Sequence, residues 1–293
     1  MTLAFALFVA GIAIIVVVGG TVGRLHPSQQ PAVRRGLNRL VVVRETCRDQ
    51  LGNHLAALAI LFAGAAATIA VCWPLGRFAR RYKSNIDAPF IRWTQRHVST
   101  HGTWHHLNSG LTLMGNRPEI KVICVVAIVV FGALWAIARR GWWIPPLLIV
   151  AAFGMEKAGQ MVLKAVVARP ATTFPDFGSY PSGGCARLIT VYGTVFFLVL
   201  LTWPRISRAW RVTGWTVLAA LAFTEGYTRI YLIKHWGMDV VGGFVFGALM
   251  LLSLIAAASC FALRETDADI DSAYVEVPSQ AAATRDGRTT PAV

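Results

Sequence analysis

Apolar residues run in long uninterrupted stretches along this chain and do not alternate with polar positions at a helix or strand period. Four runs free of charged residues stand out, at residues 2–23, 54–76, 122–138 and 240–263. A helix needs about 20 mostly apolar residues to cross a bilayer. Each of the four runs therefore predicts a transmembrane helix.

Three further apolar stretches predict weaker spans. They cover residues 141–163, 188–204 and 212–228. The first is interrupted by Glu156 and Lys157, and the third by Glu225. Ionisable residues inside a span usually face a polar interior or pair with one another. The whole pattern predicts an all-α protein, a polytopic bundle of seven transmembrane helices.

The amino-acid composition is that of a membrane protein, and its changes along the chain indicate where the domains begin and end. The chain is 55% hydrophobic and 14% charged, with a mean hydropathy of +0.55, which is too apolar for an ordinary soluble domain. The first run lacks a basic start and a small-residue cleavage site, so it predicts a retained anchor. We expect an anchor with a basic cytoplasmic loop over residues 1–53, a membrane domain over 54–263, and a disordered acidic cytoplasmic tail over 264–293.

The chain is strongly basic, with 28 Lys and Arg against 14 Asp and Glu. Loops beside membrane helices are basic for topological reasons, so we do not expect a nucleic-acid partner. Seven spans put the basic segments 24–53, 139–140 and 205–211 on one side, which predicts a plasma-membrane protein with its amino terminus outside. Segment 77–119 opposes this orientation with seven basic residues, although the pattern after Asp87 predicts an amphipathic surface helix there.

Three polar blocks flank predicted spans and fall together on the outer face. They are residues 164–170 (Lys-Ala-Val-Val-Ala-Arg-Pro), 181–184 (Pro-Ser-Gly-Gly) and 229–239 (Arg-Ile-Tyr-Leu-Ile-Lys-His-Trp-Gly-Met-Asp). In the third block His235 and Asp239 are four residues apart, so on one helical turn the carboxylate orients the imidazole. Arg229 offers a two-pronged donor for phosphate oxygens. Taken alone, this block fits a snorkelling boundary cluster equally well.

The first two blocks are each open to a simpler reading. Gly183 precedes a helix with a second glycine, so main-chain N–H groups and the Ser182 hydroxyl could cradle a phosphate, or the block is a plain turn and helix cap. Lys164 and Arg169 could neutralise a phosphate or anchor a helix end. The order and shared face of all three blocks favour a phosphate site.

Together the blocks resemble those of the PAP2 family, the type 2 phosphatidic acid phosphatases, over roughly residues 85–263. The resemblance implies a six-helix core, here with one extra amino-terminal helix, and a metal-independent membrane enzyme without cofactors. It implies that His235 attacks phosphorus to give a phosphohistidine and that Asp239 orients it. It assigns phosphate binding to Lys164, Ser182, Gly183 and Arg229.

Two positions depart from the family pattern. The family's first block usually has its Arg-Pro two residues beyond Arg169, so Arg169 is a shifted substitute, and Arg187 could supply the lost charge or anchor its helix. Gly184 stands where the family has a histidine that protonates the leaving group. General acid catalysis is worth about 10²–10⁴-fold, and its loss matters least for a phosphate leaving group. The resemblance thus favours a lipid diphosphate, such as a prenyl diphosphate, over a monoester.

Other side chains leave alternatives open. His97, His101 and His105, with His106 beside them, would share one face of a helix and could hold a metal or donate a proton, or simply be solvated. Glu225 lies one turn before Arg229 and could hold its guanidinium. The five cysteines are scattered without metal-ligand spacing, so no disulfide framework is expected.

Two functions fit these features. The first is a membrane lipid phosphatase or phosphotransferase that acts on a lipid phosphate or diphosphate at the outer face. The alternative is a non-catalytic relative that kept the cations and binds a lipid phosphate or a partner protein. The sequence favours the first because the residues for a nucleophile and its orienting acid are both present.

Overall fold

The computed structural model describes residues 2–25, 31–98, 101–138, 140–172 and 179–262, and these residues form helices and connections without a β-strand. The all-α prediction is confirmed; the predicted tail over 264–293 lies outside the described residues. The helices are α1 (Thr2–Leu25), α2 (Pro31–Arg81), α3 (Asp87–His97), α4 (Thr103–Leu111), α5 (Arg117–Ile137), α6 (Ile144–Val167), α7 (Gly183–Arg187), α8 (Gly193–Thr202), α9 (Arg208–Tyr231) and α10 (Gly237–Ala262). A 3₁₀ turn (Thr112–Gly115) precedes α5, and a π-helical turn (Leu188–Tyr192) joins α7 to α8.

Six helical segments of the described chain are long and apolar enough to cross a membrane. They are Leu3–Val22, Val41–Arg81, Arg117–Ile137, Ile144–Val167, Gly183–Thr202 and Gly237–Phe261. The remaining predicted span corresponds to α9, whose 24 residues extend about 36 Å at 1.5 Å per residue. It is more polar than the others because it carries Glu225 and Arg229. The chain is a multi-pass helical membrane protein.

The basic connection predicted over residues 24–53 differs from the structure. From residue 31 onward this segment is helical and continues into the second span as α2, with a break at Gly52, whose φ is 73°. No proline follows Pro31 until Pro74, and the intervening Arg, Leu and Gln residues favour helix. The helix is further supported by ion pairs from Arg44 and Arg48 to Glu45.

Helix α10 lies at the centre of the bundle and packs closely on α7. Cβ atoms added at Gly243 and Gly247 would lie 2.6 Å from the Ser182 carbonyl oxygen and 2.8 Å from that of Ala186. Only glycine allows two backbones this close. The contact places the start of α7, which carries the second polar block, directly against the start of α10.

Helix α1 packs antiparallel to α9. Gly11 lies against Phe223 and Gly19 against Thr216, and the Tyr227 hydroxyl donates a hydrogen bond of 2.8 Å to the Ala4 carbonyl. The beginning of α1 is therefore at the same end of the bundle as the end of α9. This is the arrangement that six spans of alternating direction, from α1 through α9, require.

The amphipathic helix predicted after Asp87 forms as α3, which buries Asp87, Ile91 and Thr94 on one face. The helix face on which we expected His97, His101 and His105 to lie together does not form, because α3 ends at His97 and α4 begins only at Thr103. Within the described ranges, no cluster of three or more His, Cys, Asp or Glu side chains could hold a metal ion.

Candidate active site

The three polar blocks meet at one end of the bundle, where α6 and α9 end and α7 and α10 begin. The Ser182 N–H donates a 2.9 Å hydrogen bond to the Asp239 carbonyl, which joins the second block to the third. The Thr172 hydroxyl donates to the Ile233 carbonyl at 2.7 Å, and the Trp236 indole N–H donates to the Pro170 carbonyl at 2.9 Å. Hydrogen bonds to main-chain carbonyl groups thus hold the blocks together.

A cleft of about 280 Å³ opens between these helix ends. Its polar lining consists mainly of basic side chains. These are Arg117, Lys164, Arg187 and Arg229. Beside them the cleft is lined by His235 and by the backbone of Gly183 and Gly184. The site is electropositive and large enough for a phosphate group.

Two of the four cations lie within ion-pair distance of a buried acidic side chain. Arg187 lies 3.6 Å from Glu156, and the Arg229 Nε donates to Glu225 at 2.6 Å. Neither Arg117 nor Lys164 forms an ion pair with any residue that the structure describes. Two cations without a direct ion-pair partner in a partly buried cleft favour the binding of an anion.

Arg229 is fixed from three sides. Besides Glu225, its Nη2 donates to the Thr112 carbonyl at 3.2 Å and to Asn116 Oδ1 at 2.8 Å. The Arg229 side chain is only 9% exposed. A guanidinium held this way is preorganised, so it loses little conformational entropy when an oxyanion binds.

His235 is held by Asp239, four residues later in the chain. Its Nδ1 lies 3.4 Å from Asp239 Oδ2. This contact suits the tautomer that carries its proton on Nδ1, in which Nε2 has a lone pair and no proton. The Trp236 N–H donates to the same carboxylate oxygen at 3.2 Å. Burial lowers the pKa of His235, whereas Asp239 opposes that shift. The ring therefore lines the cleft with an unprotonated nitrogen at neutral pH.

Arg169 occupies a different place from the one expected for a phosphate ligand. It is fully buried and forms ion pairs with both Asp87 and Asp239, and it is not among the described residues that line the cleft. Asp87 also accepts from the Met238 N–H at 3.1 Å. The two carboxylates hold the guanidinium behind the cleft, where it fixes the carboxylate that contacts His235.

The second block presents its backbone to the cleft. Gly183 and Gly184 line it, at the beginning of the helical span Gly183–Thr202, where main-chain N–H groups favour an anion. The Ser182 side chain is fully buried and lies behind this lining. Of the predicted ligands, Lys164, Gly183 and Arg229 reach the cleft, as does the proposed substitute Arg187.

Three polar residues that line the cleft have no role predicted from the sequence. Arg117 and Asn116 begin the span formed by α5, and Gln160 donates to the Pro181 carbonyl at 3.3 Å. The available signal was the position of Asn116-Arg117-Pro118 at the outer end of a predicted span. A cation at such a boundary normally serves topology, so the sequence alone does not distinguish this one.

Cations without a direct ion-pair partner at one end of a membrane-spanning bundle define a class: integral membrane proteins with a cleft for a phosphate-like anion. A family model described as the PAP2 superfamily matches residues 56–260. The chain belongs to the PAP2 superfamily. The resemblance stated from the three polar blocks is confirmed, and the match begins earlier in the chain than residue 85.

The individual proteins that the chain resembles share less than a third of its residues over the aligned regions. Over 131 residues the chain is 29% identical to phosphatidylglycerophosphatase B of Bacillus subtilis (strain 168). That match covers 42% of this chain and 62% of the relative, so the chain spans less than two thirds of the relative's length. A solved structure, the transmembrane PAP2-type phosphatidylglycerolphosphate phosphatase from Bacillus subtilis, is similar with a TM-score of 0.54 and 21% identity, covering 65% of this chain and 94% of that chain. This second likeness shows the fold.

Proposed function

We propose that the protein is a membrane lipid phosphatase or phosphotransferase of the PAP2 type, with a lipid diphosphate as its favoured substrate. The observation that carries the proposal is the cleft in which Arg117 and Lys164 lack a carboxylate partner among the described residues, beside the His235–Asp239 pair. Two positive charges match the charge of a terminal phosphoryl group. The bilayer-exposed helices leave the lipid tail in the membrane while the headgroup enters the cleft.

In the proposed reaction the His235 Nε2 lone pair attacks phosphorus, an N–P bond forms, and the bond from phosphorus to the leaving-group oxygen breaks. Asp239 accepts the hydrogen bond from Nδ1 and stabilises the positive charge that develops on the ring. The cations of the cleft stabilise the negative charge on the oxygens around phosphorus in the transition state. Water, or an acceptor hydroxyl, then attacks phosphorus and loses its proton to solvent, while the N–P bond breaks and its electron pair returns to His235 Nε2.

The leaving group decides the preferred substrate. Gly184 has no side chain to donate a proton, so the departing oxygen leaves as an anion. A phosphate leaves easily in that form, whereas an alkoxide does not. The relative named above is a phosphatidylglycerophosphatase by its name. Phosphatidylglycerophosphate is a phosphate monoester, so substrate preference is the point at which we expect this chain to differ.

The test is phosphate release by the purified protein from a prenyl diphosphate and from phosphatidylglycerophosphate, in the same detergent micelles. We expect the diphosphate to react at least about 10²-fold faster, the lower bound for a lost general acid. His235→Asn should abolish release from both. If wild type releases no phosphate from either lipid, the alternative stands: a non-catalytic protein that binds lipid phosphate. If the two rates are equal, the leaving-group argument fails.

We also propose that the cleft lies at the outer face of the plasma membrane. The segments around residues 140 and 205–211 lie at the end of the bundle opposite the cleft, where Arg140 donates to the Leu201 carbonyl at 3.5 Å and Arg211 to the Ile206 carbonyl at 3.0 Å. Short basic loops favour the cytoplasm. The opposite end, with the cleft, then faces outward.

A further inference from the structure

The space beside Gly184 is already filled by a carboxylate. A Cβ atom at this position would overlap Oε1 of Glu225 and would lie 2.7 Å from both Nε and Nη2 of Arg229. No side chain fits there while Glu225 and Arg229 keep their places. The absence of the usual second-block histidine is thus linked to the presence of two other side chains.

A second glycine completes the same slot. A Cβ atom at Gly115, in the turn before α5, would also overlap Oε1 of Glu225 and would lie 2.9 Å from the Gly184 Cα. Glu225 is fully buried, and its Oε2 has no hydrogen-bond partner among the described residues. A buried carboxylate is costly unless it is paired. Its partner here is Arg229, through Oε1.

We propose that Glu225 replaces the missing second-block side chain: seated between Gly115 and Gly184, it is a positioning residue that fixes Arg229 for the charge on the leaving group. The proposal rests on the proposed function and deepens it. Protonation of the leaving oxygen is replaced by stabilisation of an anion. Gly184 and Glu225 then depend on each other, and changing either residue alone lowers stability or activity.

The coupling is tested first by stability, which needs no substrate. Gly184→Ala should lower the melting temperature of the purified protein by about 5 °C, as expected for overpacking of a buried site. In a Glu225→Ala background, the same change should cost less than half as much. The closest overlap, with Oε1 of Glu225, is then removed, and Arg229, the remaining neighbour, is no longer held in place by that carboxylate. The matched control is Gly154→Ala, where an added Cβ has no neighbour within 4 Å. Equal shifts in both backgrounds overturn the coupling.

The positioning role is tested by activity on two substrate classes. Glu225→Ala should lower kcat for a prenyl diphosphate by about 10²-fold, the cost of misplacing a transition-state donor, with a smaller loss for phosphatidylglycerophosphate. Glu225→Gln keeps an oxygen that accepts from Arg229 Nε, so it should retain kcat within about 10-fold. A purely structural role would reduce both substrates equally and would not be rescued by glutamine. Either of those results overturns the positioning role.

The two hypotheses fail separately. If wild type is inactive on both lipids, the proposed function is wrong, and the melting-temperature cycle still decides whether Glu225 replaces the second-block side chain. If wild type is active and Glu225→Ala has the wild-type kcat, the proposed function stands and the role of Glu225 is wrong. Restoring histidine has its own prediction: Gly184→His should gain monoester activity only when combined with Glu225→Ala.

Discussion

His235 is the residue whose protonation should control activity. Burial lowers its pKa below the ordinary value of 6.5, and Asp239 opposes the shift without cancelling it. The neutral ring is the nucleophile, so activity is present above this pKa and is lost as pH falls through it. We predict that the acidic limb of kcat/KM lies below pH 6.5.

The measurement is a kcat/KM profile on a prenyl diphosphate, whose own ionisation is subtracted by a parallel titration of the substrate. Asp239→Asn removes the interaction that raises the His235 pKa, so any residual activity of this variant should show its acidic limb at still lower pH. An acidic limb at or above pH 6.5 in wild type would show that His235 does not act in the environment described.

Arg169 should matter for stability and orientation more than for substrate affinity. Arg169→Met leaves Asp87 and Asp239 buried without their cation, and breaking a buried pair in this way costs about 3–5 kcal/mol. We predict a clearly lower melting temperature and a reduced kcat, because Asp239 is then misplaced. The measurements are thermal unfolding in detergent and steady-state kinetics.

A different outcome would support the role predicted from the sequence, in which Arg169 binds the phosphate. If the Arg169→Met protein unfolds at the wild-type temperature and only its KM rises, the guanidinium binds substrate directly. Lys164→Met is the matched comparison, because Lys164 lines the cleft without a described carboxylate partner. We expect that variant to raise KM with little change in stability.

At the scale of helices, the closest contact is that between α10 and α7. Gly247→Ala would place a methyl group 2.8 Å from the Ala186 carbonyl oxygen, which belongs to the backbone and cannot move aside easily. We predict a destabilisation of about 1–3 kcal/mol. Gly154→Ala adds the same group in open space and should be neutral or stabilising by about 0.5–1 kcal/mol.

Thermal unfolding of the two variants in one detergent checks this contact. Because the contact sets the position of Gly183 and Gly184, Gly247→Ala should also reduce activity, whereas Gly154→Ala should not. Equal melting temperatures for the two variants would mean that α7 and α10 are not packed as described.

The apolar runs predicted the spans because burial in lipid requires nothing more than length and hydrophobicity. They did not predict that α2 extends back to residue 31, since a charged segment ahead of a span is compatible with helix and with loop alike. The histidine face failed for a related reason. A four-residue spacing matches one helix, but the chain separates α3 from α4 after His97.

Within the site, contacts between residues far apart in the sequence could not be predicted from residue spacing. Arg169 meets Asp87, 82 residues earlier, and Asp239, 70 residues later. No periodicity links those positions. By contrast, the His235–Asp239 and Glu225–Arg229 pairs are four residues apart, and such local pairs can be anticipated from helix geometry.

For the molecule as a whole, the orientation in the membrane can be tested with single reporter cysteines in a variant lacking the five native ones. Ser84 is exposed near the cleft end and Arg205 is exposed at the opposite end. We predict that, in intact cells, a membrane-impermeant maleimide labels Ser84→Cys and leaves Arg205→Cys unlabelled. After permeabilisation both should react.

The reverse labelling pattern would place the cleft in the cytoplasm. It would also mean that segment 77–119, with its seven basic residues, outweighs the shorter loops in setting orientation. The proposed chemistry would be unchanged, because the cleft and its cations do not depend on the side they face. The available lipid substrates would differ.

The central claim is that His235 carries the phosphoryl group. The direct measurement is to mix the protein with a prenyl diphosphate labelled in its terminal phosphate, quench it within one turnover, and map the label by peptide mass spectrometry. Phosphohistidine survives base and is lost in acid. We predict an acid-labile, base-stable phosphoryl group on His235, absent from His235→Asn. A label on another residue, or one that persists in His235→Asn, would contradict this account.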